Sequence, residues 1–172
     1  VEVNLTAQHL FFYKDGKLLV ESDFVSGNAA RGWSTPSGAY PLTYKERNAT
    51  LNGEGYSTPV SYWMPFNGGI GLHDASWRSS FGGTIYKTNG SHGCINLPPS
   101  VAKTIYENIS KGDPVLCYEL AGTEQTTTTN AGGKPVQTQP AQTQPAETQP
   151  AQTQPAETQP AQTQPAQTQP AE

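Results

Sequence analysis

The sequence predicts a mainly β domain with one principal α-helix, followed by a disordered tail rich in Pro, Gln and Thr. Three observations predict this. Short apolar runs alternate with polar residues at a period of two, one stretch alone carries apolar residues at helical spacing, and the composition changes abruptly near Leu120. Residues 1–120 hold every Trp, Tyr and Phe of the 172-residue chain, all three histidines and both cysteines. They are read as one folded domain, and residues 121–172 as a low-complexity linker or tail. A domain of this size buries a self-sufficient core, and two cysteines in dissimilar surroundings do not make a disulfide framework. The domain carries nine Lys and Arg against ten Asp and Glu, a net charge of −1, and the tail holds the remaining −3 of the total −4. Neither part is basic enough to attract nucleic acid.

Val1, Val3 and Leu5 alternate with Glu2, Asn4 and Thr6, the pattern of a half-buried first strand. Residues 10–13, the turn Lys14-Asp15-Gly16-Lys17 and residues 18–20 form a hairpin. Residues 24–25, 40–44 and 60–66 supply further extended pieces between Gly, Pro, Ser and Asn clusters, and residues 69–72 read as a buried strand. The helix starts near Pro99-Ser100, places Val101, Ile105 and Ile109 four residues apart, and stops at Lys111-Gly112. Residues 114–120 return as a closing strand. No signal peptide or membrane span is visible; an export signal is expected upstream of Val1.

From Ala141 the tail repeats Ala-Gln/Glu-Thr-Gln-Pro with a period of five through Pro170. Such a segment has no apolar face whose burial could offset its ordering entropy. Proline at every fifth position blocks helix and central strand, leaving an extended, partly polyproline-like coil. It reads as a tether or spacer that reaches roughly 40 Å.

The chemistry-bearing residues cluster at Ser91-His92-Gly93-Cys94-Ile95-Asn96, with His73 and Asp74 upstream. A histidine near a cysteine points to a thiol nucleophile. An ordinary cysteine is only about 3% thiolate at neutral pH, and a nearby imidazolium would lower its pKa. His73, at the end of a buried strand, is the expected partner. Gly93 lacks a Cβ beside the nucleophile, which lets the N–H groups of Gly93 and Cys94 point at one oxyanion. Cys117, among Val115, Leu116 and Tyr118, reads as a buried inert thiol, and His9 as structural. A zinc site built from His73, His92 and Cys94 with Asp74 is the rival chemistry, but its spacing matches no usual zinc pattern. A non-catalytic binding module is the third reading.

Gly-Leu-His-Asp followed by Ser-His-Gly-Cys-Ile-Asn resembles the catalytic signature of the L,D-transpeptidases, the YkuD family of bacterial cell-wall enzymes. The opening Val-Asn-Leu-Thr-Ala-Gln-His-Leu-Phe-Phe-Tyr, Ser26-Gly27, Thr35-Pro36-Ser37-Gly38 and Gly112-Asp113-Pro114-Val115 agree with it. The resemblance covers residues 1–120 and says nothing of the tail. It implies a β-sandwich and a cysteine that attacks the peptide stem of peptidoglycan, releasing D-alanine and forming a 3→3 cross-link when an acceptor amine resolves the thioester. By position it implies Cys94 as nucleophile and His73 as general acid/base. His92, Gly93 and Cys94 frame the oxyanion site, with Ser91 and Asn96 supporting the loop. Asp74 orients His73 through its backbone carbonyl or through its carboxylate. His92 either takes part in catalysis or fixes the loop.

Trp77, Arg78, Phe81 and Tyr86 lie in a Gly- and Ser-rich stretch that reads as a lid and as substrate-binding residues, with Arg78 either holding a stem carboxylate or simply solvated. The expected partners are peptidoglycan stem peptides, with no nucleic acid, no membrane insertion and a monomeric domain. The expected location is extracytoplasmic, in the cell wall or at the outer face of the cytoplasmic membrane. No cofactor and no metal are implied. If water rather than an amine resolves the thioester, the same residues make an L,D-carboxypeptidase. A carbapenem is expected to acylate Cys94.

Overall fold

The computed structural model describes residues 1–53 and 55–130. The pentapeptide repeats lie outside the described residues. Eleven strands, two α-helices and one 3-10 turn follow one another from β1 (Glu2–Asn4) to β11 (Thr128–Asn130) among the described residues.

The predicted hairpin forms as β2 (His9–Lys14) and β3 (Lys17–Asp23). Asp15 and Gly16 take φ of +51° and +73°, the left-handed geometry that lets a two-residue turn match the strand twist. Parallel to β1 runs β10 (Pro114–Tyr118), with Val3 opposite Cys117. With β4 (Gly38–Pro41) they complete a five-stranded sheet in the order β3-β2-β1-β10-β4.

A second sheet has the order β5-β6-β7-β9. The sequence does not announce β5 (Glu46–Gly53): only Ala49 is buried along it, so both faces read as polar. Its partner β6 (Tyr56–Asn67) is interrupted near Pro65, where the missing N–H shifts the register against β7 (Ile70–Asp74). The fourth strand, β9 (Ile95–Leu97), lies parallel to β7. The crossover between them carries β8 (Ser80–Gly82) and the short α1 (Tyr86–Asn89).

One core joins the sheets: Val3, Leu10 and Phe12 from the first meet Met64, Leu72 and Ile95 from the second. Helix α2 (Pro99–Asn108) closes it with Val101, Ala102 and Ile105. Pro99 begins this helix where an N–H would be unpaired anyway. The helix stops at Asn108, short of the expected Lys111-Gly112. Ile109 turns extended and is fully buried, while the Lys45 ammonium donates to the carbonyls of Tyr106 and Ile109 at 2.6 and 2.7 Å and neutralises the helix end.

Hydrogen-bonded structure continues past the composition change at Leu120. The amide N–H of Leu120 donates to Thr6 Oγ1 at 2.9 Å, and Asn4 Nδ2 to Thr123 Oγ1 at 3.1 Å. Beyond them β11 pairs antiparallel with β8, Thr129 opposite Phe81. Among the described residues no helix is long and apolar enough to cross a membrane.

Candidate active site

Strand register brings the two sequence motifs together. In the parallel β7–β9 pair His73 lies opposite Asn96, and Cys94 immediately precedes β9. The loop that carries the thiol is held from beneath. Thr35 Oγ1 donates to the Gly93 carbonyl at 2.7 Å while accepting from the Gly27 N–H at 3.1 Å, and Ser91 Oγ donates to the Cys94 carbonyl at 2.6 Å. Gly93 has φ +119°, and a Cβ there would press on Ile70.

His73 and Cys94 share a cleft of about 210 Å³ with Trp77, Arg78, His92 and Asn96. The imidazole is buried. Its Nδ1 lies 2.8 Å from the backbone carbonyl oxygen of Asp74, and the Asp74 carboxylate instead accepts from the Tyr62 N–H at 2.8 Å. On the far side of the ring is Asn96. With the amide assigned from its hydrogen bonds, Nδ2 donates to His73 Nε2 at 3.1 Å and Oδ1 accepts from Arg78 Nε at 2.8 Å.

Burial sets the electrostatics. It pushes the His73 pKa below the usual value, assisted by the positive charge of Arg78 and opposed by Asp74. It pushes the Cys94 thiol up, opposed by a hydrogen bond from the Gly71 backbone. Burial therefore works against the expected lowering of the Cys94 pKa by an imidazolium and drives both groups toward their neutral forms. The thiol itself donates to the Gly69 carbonyl, 3.6 Å from the sulfur.

A sequence model of the YkuD family, the L,D-transpeptidase catalytic domain, matches residues 1–117. The chain belongs to this L,D-transpeptidase family. The crystal structure of a mutant Enterococcus faecium L,D-transpeptidase is 46% identical with a TM-score of 0.65, over 68% of this chain and 48% of that one. The catalytic domain of the E. faecium enzyme acylated by ertapenem is 47% identical with a TM-score of 0.61, over 68% of this chain and 94% of that one. L,D-transpeptidase 2 of Mycobacterium tuberculosis is 28% identical over 109 residues, 63% of this chain and 25% of the relative. The match thus spans about a quarter of that curated relative.

Within this L,D-transpeptidase domain the expected lid residues separate. Trp77 and Arg78 border the cleft, whereas Phe81 is fully buried with Val25 and Ala75, and Tyr86 lines a different cavity beside Ser26 and Thr35. Nor is the Gly93 N–H free for an oxyanion: it donates to Ser91 Oγ at 3.0 Å. Two residues around His92 carried no sequence signal. The His92 ring is stacked between Trp33 and Tyr56, at centroid distances of 4.1 and 4.6 Å. These aromatics are far apart in the chain, so no spacing rule links them. His73, His92, Cys94 and Asp74 do not assemble into a metal-ligating group of three among the described residues.

Proposed function

We propose that this chain acts as a peptidoglycan L,D-transpeptidase through Cys94 and His73. The carrying observation is that one cleft contains a cysteine and a buried histidine whose Nδ1 is tied to a backbone carbonyl, leaving Nε2 as the working nitrogen. His73 Nε2 takes the thiol proton as sulfur bonds to the carbonyl carbon of the third stem residue. The negative oxygen is stabilised by N–H groups of the 92–94 loop, Gly93 taking part when its bond to Ser91 opens. The C–N bond then breaks, and the imidazolium returns the proton to the departing D-alanine amine. An acceptor side-chain amine attacks the thioester and passes its proton to His73, and the thiol leaves reprotonated, yielding the 3→3 cross-link.

Asp74 orients His73 through its carbonyl, and Trp77 and Arg78 border the stem peptide. Phe81 supports the lid from the core, and Tyr86 packs beside it. His92 fixes the loop through its aromatic stack. The reaction is extracytoplasmic, on stem peptides, and is carried out by a monomer. The ertapenem-acylated relative supports a thiol that opens a carbapenem ring.

The test is mass spectrometry of the reduced protein, wild type and Cys94→Ala, incubated with a disaccharide-tetrapeptide. A cross-linked dimer with loss of D-alanine, dependent on Cys94, is expected. Tripeptide without dimer would make the chain an L,D-carboxypeptidase instead. Absence of both products would overturn the reading.

A further inference from the structure

Arg78 borders the cleft, yet two of its nitrogens are directed at a protein oxygen. Its Nε and Nη2 lie 2.8 and 3.3 Å from Asn96 Oδ1, and the amide nitrogen of Asn96 lies 3.1 Å from His73 Nε2. A guanidinium only donates, and an amide has one accepting end and one donating end. Arg78 therefore turns the amide so that its NH2 faces His73; the reverse orientation would set NH2 against the guanidinium. That NH2 can only donate, so Nε2 must be an unprotonated acceptor. At the opposite edge of the ring the Asp74 carbonyl only accepts, so Nδ1 must carry the hydrogen. Both edges specify the same species, neutral imidazole with its proton on Nδ1.

We propose that Arg78 is a positioning residue that acts through Asn96 to hold His73 as the neutral Nε2 base. This rests on the reading of His73 as the general base. At 3.1 Å the amide contact is an ordinary neutral hydrogen bond, and it yields to the thiol proton. Once Nε2 is protonated it faces an amide NH2, a donor against a donor. That mismatch favours handing the proton on to the departing amine, so the same contact serves both halves of the transfer.

The ionisable groups around the ring are few. Arg78, Cys94, His92 and Tyr56 line the same cleft, and Asp74 follows on β7 with its carboxylate on the Tyr62 N–H. From the neighbouring strands, β6 presents Trp63 and β9 presents Asn96, neither of which titrates. Desolvation of His73 acts in the same direction as the amide.

The test follows acylation of Cys94 by ertapenem across about pH 5 to 9, in the full chain, for wild type, Arg78→Met, Arg78→Lys and Asn96→Asp, with the His73 titration read by NMR. In Arg78→Met the amide is free to turn and accept from a protonated Nε2. The acidic limb is expected to move to higher pH, with about tenfold more rate lost at the acid end than at the alkaline end. Lys keeps the charge but not the two-pronged grip, so its limb stays displaced. Asn96→Asp accepts at both ends and moves the limb in the same direction. A wild-type profile in Arg78→Lys would overturn the amide role in favour of charge alone. An unmoved profile in Arg78→Met, with the defect confined to KM for the stem peptide, would make Arg78 a substrate-binding group. A wild-type protein that forms no adduct on Cys94 would sink the proposed function instead, and the His73 titration in Arg78→Met would still decide the inference.

Discussion

The backbone carbonyl of Asp74 accepts a hydrogen bond from Nδ1 of the preceding residue, His73, across 2.8 Å. The Asp74 side chain serves a separate purpose, accepting from the Tyr62 N–H on the adjacent strand. Asp74→Asn retains an accepting oxygen and is expected to leave acylation within about threefold of wild type. Asp74→Ala strands a buried N–H and should cost about 1–3 kcal/mol of stability. Thermal unfolding and ertapenem acylation, measured on both variants, separate the two roles. A collapse of activity in a stable Asp74→Asn protein would bring the carboxylate back into the chemistry.

The two thiols should differ sharply in reactivity. Cys117 is 1% exposed, and its pKa is pushed up to about 12 by burial. Iodoacetamide is expected to modify Cys94 alone in the folded protein, read as a single adduct on the intact mass. Because burial raises the Cys94 pKa and lowers that of His73, the alkylation rate should climb through the alkaline range. An acidic plateau, the mark of a thiolate–imidazolium pair, would contradict a neutral thiol beside a neutral imidazole.

His92 is clasped between two rings, and each stacked contact contributes about 1 kcal/mol. His92→Ala should lower the melting temperature and slow acylation. His92→Phe restores the stack and is expected to recover most of the acylation rate. Recovery of stability without recovery of acylation would show that a ring nitrogen of His92 takes part in the reaction.

Ending the chain after Leu120 removes the strand that covers β8. Amide exchange at Phe81 is expected to speed up, since Thr129 is its pairing partner, whereas the Gly82 N–H stays bonded to the Phe24 carbonyl. Ending it after Asn130 should leave that exchange unchanged. Equal exchange in both proteins would mean that the β11 pairing adds nothing to the stability of β8.

Much of the fold is legible in the chain because its signals are local. The Asp15-Gly16 turn and the spacing of Val101 and Ile105 each act within a few residues, and the structure carries β2–β3 and α2 where they point. β5 is obscure because a strand with one buried residue has no alternation to display. The site divides in the same way. His73 and Cys94 stand out as residue types in a motif, whereas the Trp33–His92–Tyr56 stack exists only once three distant segments are folded together. The pull of burial on the two pKa values is equally hidden, because burial is a property of the packed core. At Phe81 an aromatic residue in a glycine-rich loop reads as a lid contact, and the structure instead places it in a small core with Val25 and Ala75.

The parallel rung that sets His73 opposite Asn96 separates geometry from chain length. Because the ladder hydrogen bonds and not the connecting segment align the motifs, the crossover between β7 and β9 can lengthen or shorten without moving the thiol relative to the imidazole. A one-residue slip of the same ladder would instead turn Asn96 to the other face of the sheet and take it from the ring. The domain can therefore accept new lids by insertion while remaining intolerant of a single shifted rung.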